Sequence, residues 1–163
     1  MRRYRYSRSQ TQVRVQKAKS IFIKENRYLL RHDLNERTIS HKFAEALQDQ
    51  FPGWHVDCEY NRNHDLAKIL DIPVTQQTTS VYDTKGRTVY PDIIIHCRGS
   101  NKYNLLVIEI KKSMNPDGGI LDRQKLEAFL RKPYRYKHGL FIKIPVTSGD
   151  LSNWDLEWFP ESQ

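Results

Sequence analysis

A chain of 163 residues with 38% hydrophobic and 28% charged side chains suits one globular domain around a single core. No window approaches the roughly 18 apolar residues of a membrane-spanning helix, and none has the apolar core of a secretory signal, so membrane partners are excluded and a cytoplasmic protein is expected. The net charge of +8 is unevenly spread: residues 1–20 hold seven basic side chains (Arg2, Arg3, Arg5, Arg8, Arg14, Lys17, Lys19) and no acid.

That distribution divides the chain into a basic, flexible N-terminal arm over residues 1–20 and a single, nearly neutral domain over 21–163. A cationic arm is drawn to a polyanion by counterion release, so Arg2, Arg3, Arg5 and Arg8 are candidate nucleic-acid contacts; the plainer alternative is a solvated tail. Cys58 and Cys97 lack the paired spacing of a zinc site and are expected as reduced thiols.

Residues 20–31 are too short an apolar run to separate strand from helix. The first clear helix is expected over 34–50, started by Asp33 and Glu36 in a capping-box arrangement and stopped by Pro52-Gly53. Ile39, Phe43 and Leu47 form its inward stripe. At about 100° per residue Glu36 falls on that same face, while Glu45 points away. Glu36 is thus either a site acid or merely a complement to the helix N-terminus.

Trp54–Asn61 alternates as a strand should. Residues 62–87 read as a long polar loop with a helical turn near Leu66–Leu70. Arg62 at its start is a candidate phosphate contact, with a surface salt bridge as the alternative. Val89–His96 and Leu105–Lys111 are strands joined by a turn over Arg98–Lys102. A helix over Leu121–Arg131 ends before Pro133. Gly139–Ile144 is apolar enough for a buried strand, and Trp154–Phe159 covers the core as an edge strand. The order is helix, strand, strand, strand, helix, strand.

Sixteen residues lie between Pro91-Asp92 and Glu109-Ile110-Lys111. Side chains alternate along strands, so Asp92 and His96 share one face, and Glu109 and Lys111 share a face of the neighbouring strand. Paired as a hairpin, these strands bring two carboxylates and an ammonium group together. Charged groups are costly to bury without compensation. Two carboxylates suit a hard cation such as Mg2+, with Mn2+ as a substitute, and the Ile110 carbonyl is a third oxygen ligand. Lys111 would orient the attacking water or stabilise phosphate charge. His96 reads as a structural histidine. No glycine-rich phosphate loop, zinc-protease motif or nucleophile elbow competes with this site.

Over residues 33–145 the pattern resembles the PD-(D/E)XK nuclease superfamily. The resemblance implies an α/β fold with the αβββαβ restriction-endonuclease-like core, a mixed β-sheet flanked by helices. It implies Asp92 and Glu109 as metal ligands, Lys111 as the catalytic lysine, Glu36 as the acid of the first helix, and Gln124 and Lys125 as residues touching the site or nucleic acid, with plain surface residues as the alternative. The expected activity is metal-dependent endonucleolytic hydrolysis, with DNA as substrate, by a homodimer or with a specificity partner. The alternatives are a non-catalytic nucleic-acid-binding or assembly protein on the same fold, and an RNA-binding protein driven by the arm.

Overall fold

The computed structural model describes residues 6–60, 62–63, 66–67, 69–70, 87–88, 90–116 and 118–160. The chain folds as an α/β unit with a mixed five-stranded sheet between helices. Two helices come first, α1 (Arg8–Arg31) and α2 (Glu36–Gln50), followed by β1 (His55–Cys58). The sheet continues with β2 (Ile93–Cys97) and β3 (Ser100–Lys112), then crosses over through α3 (Ile120–Leu130) to β4 (His138–Ile144) and ends at β5 (Asp155–Phe159). The strands stand in chain order; only the β3–β4 pair is parallel, and its crossover is α3.

Residues 8–20 are not a flexible arm. Ser7 caps α1 with a reciprocal capping box to Gln10. Thr11, Val15, Ala18 and Phe22, spaced four, three and four apart, turn one narrow stripe inward, and all four are fully buried. Basic residues between these positions mask the stripe in the sequence. Tyr6 is buried too, edge-on to Phe51 with ring centroids 5.6 Å apart. The ambiguous segment 20–31 is helical and continues α1 across a kink at Asn26, whose φ −119° and ψ 25° are not helical.

α2 carries Ile39, Phe43 and Leu47 inward as expected, but Asn35 caps it, not Asp33. The Asn35 carboxamide oxygen accepts from the Thr38 amide at 2.8 Å. Asp33 instead occupies the left-handed region, φ 49°, in the turn between the helices, a conformation that Asp tolerates better than most residues. Glu45 points to solvent and pairs with His41 and Lys42.

The two sheet faces have separate cores. Ile93, Ile95, Leu106, Ile108, Ile110, Leu140, Ile142 and Ile144 pack with α1 and α2. Ile94, Val107 and Phe141 face α3 through Leu126, Phe129 and Leu130. The expected turn over Arg98–Lys102 is confined to Arg98 and Gly99, because β3 already begins at Ser100. Among the described residues of Leu66–Leu70 no helical turn forms: two-residue strands lie at Leu66–Ala67 and Ile69–Leu70, paired with Arg62–Asn63 and Arg87–Thr88. Most of the expected loop lies outside the described residues.

Candidate active site

The site grows out of a mismatch in strand length. β2 pairs with β3 only as far as Ile93 opposite Ile108, yet β3 runs on to Lys112. On the β4 side the ladder continues through Lys112 opposite Ile144. On the β2 side the amides of Ile110 and Lys112 have lost their strand partner, and buried backbone donors must be satisfied somehow. Two carboxylates replace the strand. The Ile110 amide donates to Asp92 Oδ2 at 2.7 Å, and the Lys112 amide donates to Glu36 Oε1 at 3.1 Å. Glu36 thus reaches the end of β3 from the first residue of α2 and is more than a complement to its own helix.

Alternation puts Glu109 and Lys111 on the α3 face, where Asp92 also lies. Glu109 is 1% exposed. Its Oε2 accepts from Lys125 Nζ at 2.8 Å; among the described residues its Oε1 has no hydrogen-bond partner. Lys125 also pairs with Asp122 Oδ1 at 3.0 Å, and Lys111 Nζ lies 3.3 Å from Asp122 Oδ2. Lys125 is therefore part of the buried cluster: of the two contacts expected for it, site or nucleic acid, it makes the first, and it is not a plain surface residue. Its neighbour Gln124 is half-buried on the same helix.

Asp122 is the site residue that sequence reasoning missed. It sits in the first turn of α3 and is 5% exposed. Its signal was the i, i+3 spacing to Lys125, which places both on one helix face. Of the other expected contacts, Arg8 starts α1, and Arg62 lies in a short strand whose side chains are outside what is described. Arg2, Arg3 and Arg5 lie outside the described residues.

The electrostatics follow from burial. Burial pushes the Asp92 carboxyl up to about 6, although the Ile110 amide works against it. Burial also raises Glu109 well above the usual carboxyl range, with the Asp92 charge adding to it and Lys125 opposing. For Lys125 burial acts to lower the ammonium pKa, but Glu109 and Asp122 outweigh it and hold the group above the ordinary lysine range.

Four carboxylates (Glu36, Asp92, Glu109, Asp122) therefore meet two ammonium groups (Lys111, Lys125). Alone, the cluster carries more acid than base, and burial makes the charged forms of Asp92 and Glu109 costly. A divalent cation would discharge the same excess.

The donor set fits such an ion. Residues in an extended strand aim their own N–H and C=O towards the same neighbour. The bond from the Ile110 amide to Asp92 therefore puts the Ile110 carbonyl on the Asp92 side as well. Among the described residues no three His, Cys, Asp or Glu side chains gather as a self-sufficient metal site. Mg2+ needs no such cage, since it keeps several waters and is satisfied by one or two carboxylates.

At the far end of β2, His96 is held by Asp57 at 2.8 Å, and Arg98 closes on the same carboxylate. Burial would raise Asp57, but its bonds to His96 and Arg98 overcome this and keep the carboxyl well below its usual range. This buried, paired cluster matches the structural role expected for His96. Cys58 and Cys97 are free thiols, and burial pushes Cys58 up to about 11, far from a reactive thiolate.

No protein-family model matches the chain, and no curated protein and no solved structure matches it.

Proposed function

We propose that the chain is a metal-dependent nuclease of the PD-(D/E)XK kind, hydrolysing phosphodiester bonds, with DNA as the favoured substrate. One observation carries this reading: Asp92 and the buried Glu109, whose Oε1 has no hydrogen-bond partner among the described residues, lie beside Lys111 where β3 outruns β2. The order α2-β1-β2-β3-α3-β4 and the position of Glu36 at the same strand end add support.

Asp92, Glu109 and the Ile110 carbonyl would hold Mg2+ or Mn2+. When bound, such an ion supplies an activated water and stabilises charge on the reacting phosphate. Glu36 and Asp92 fix the backbone of β3 through the Lys112 and Ile110 amides, so the ligand-bearing strand cannot drift. Lys111 presents an ammonium group to a phosphate oxygen or to the attacking water, and Asp122 steers it from behind. Lys125 balances the charge of Glu109 and also pairs with Asp122, a partner it would keep with a cation on Glu109.

One such centre per chain cuts one strand, so cleavage of both strands calls for a second copy or a partner.

The test is cleavage of a panel of labelled single-stranded, duplex and flapped oligonucleotides in Mg2+ or Mn2+. The intact protein is expected to cut at least one of them. Asp92→Asn, Glu109→Gln and Lys111→Met should each lose at least about a hundredfold, the scale of removing one transition-state contact. Undiminished cleavage by all three folded variants would reject the proposal.

A further inference from the structure

The outer face of α1 lies outside the proposed αβββαβ core, and the nuclease reading gives it no task. Lys17 and Lys24 stand two turns apart on the outer face of α1, and Arg27 and Arg31 stand one turn apart beyond a break in the helix at Asn26 (φ −119°, ψ 25°), so the basic residues form a bent row. All four are exposed, and Lys17 and Lys24 lie opposite the buried Val15–Ala18–Phe22 stripe. Among the described residues no carboxylate forms an ion pair with any of the four, and Glu25 is the only acid in the helix.

Tyr28 stands within this row, past the break from Lys24 and one helical turn from Arg31. It is 68% exposed, an unusual state for a large aromatic ring, and it rests against His32 with centroids 4.0 Å apart and the rings tilted by 35°. Towards the N-terminal half the same face borders a shallow depression of about 680 Å3 lined by Val13, Gln16, Lys17 and Ser20.

The other end of the row lies near the end of β3. The Leu30 carbonyl accepts from the Thr147 amide at 2.9 Å, and Asp33 pairs with Lys112 at the end of β3, also at 2.9 Å. Glu36 follows three residues later.

We infer that the outer face of α1 binds single-stranded nucleic acid, with Lys17, Lys24, Arg27 and Arg31 tracking the phosphates and Tyr28, backed by His32, stacking on an unpaired base. Charge complementarity selects a polyanion. The exposed ring among the charges selects an unpaired strand, because only unstacked bases offer their faces to a side chain. A strand on this face is led along the helix to the end of β3. The inference rests on the nuclease reading for where the strand leads, not for what the face holds.

The test is fluorescence anisotropy with a labelled single-stranded oligonucleotide and its duplex, in EDTA, over a range of salt. Tyr28→Ala should weaken single-strand binding about tenfold and leave duplex binding almost unchanged, while Tyr28→Phe retains the affinity. Replacing Lys17, Lys24, Arg27 and Arg31 together by Gln should flatten the plot of log K against log salt by about 2–3 units of slope. Unchanged single-strand affinity in Tyr28→Ala, an equal loss on duplex, or an unaltered salt slope would each overturn the inference. Because EDTA removes metal and cleavage from these titrations, the two readings fail separately. Binding through Tyr28 by a protein that never cuts would overturn the nuclease reading alone. Cleavage with Tyr28→Ala binding unimpaired would overturn this one alone.

Discussion

Asp92 bears the conflict on which the site depends. It is largely removed from water, yet it must be ionised to hold a cation, and its carboxyl is pushed up to about 6. Between the ordinary carboxyl range and about 6, the folded chain holds a proton on Asp92 that the unfolded chain has released. Stability therefore falls as pH rises across that interval and stays lower above it. Asp92→Asn removes the charge but keeps an acceptor for the Ile110 amide. At pH 7 it should stabilise the metal-free protein by about 1–3 kcal/mol, read from thermal or urea unfolding, with a flatter pH dependence. Metal affinity should run the opposite way, climbing about tenfold per pH unit below 6 as binding displaces the Asp92 proton. Lys125 is a tethered cation already seated on Glu109. Lys125→Met should raise Mn2+ affinity at least about tenfold by calorimetry, because a competing positive charge is gone. An unchanged affinity would mean that Lys125 and the ion do not compete. At this scale Asp92, Glu109, Lys111 and Glu36 were legible, because strand and helix periods assign faces from spacing alone. The partnership of Lys125 with Glu109 was not, because residues sixteen apart meet only after the crossover is built.

At the scale of elements, the position of α3 decides whether Asp122 and Lys125 reach the site. Gly119 sets that position. It caps α3 with φ 75°, and a Cβ there would run into the Phe141 ring. Gly119→Ala should cost about 2–4 kcal/mol in urea unfolding, combining a left-handed backbone penalty with overpacking, and should weaken metal binding by displacing the helix start. Wild-type stability in that variant would contradict the account. The apolar spacing of Ile39, Phe43 and Leu47 made α2 readable from sequence, and the apolar run of β4 did the same for a buried strand. Residues 8–20 of α1 were hidden because Thr11 and Ala18 complete its buried stripe, and neither is recognisably a core residue among so many charges. The helical turn expected near Leu66–Leu70 failed for a related reason: runs that short satisfy either period.

For the whole molecule, α1 joins two functions that the sequence assigned to different parts. Its inner stripe closes the core over α2 and Trp154, and its outer face carries the basic row. Deleting residues 1–20 would strip away Tyr6, Val15 and Ala18. That should cost roughly 3–6 kcal/mol on burial alone, visible as a lower thermal midpoint by circular dichroism, so loss of binding after such a deletion would report unfolding as much as lost charge. The four ladders of the sheet place the end of β3 between α2 and α3 and leave the gap that two carboxylates fill. Whether that gap takes a cation is most directly settled by calorimetric titration of Mn2+ into the intact chain at pH 7.5, beside Asp92→Asn and Glu109→Gln. The account predicts saturable binding of about one ion per chain that both substitutions abolish or weaken at least about a hundredfold. No saturable heat in the intact protein, or the same isotherm in all three, would contradict it.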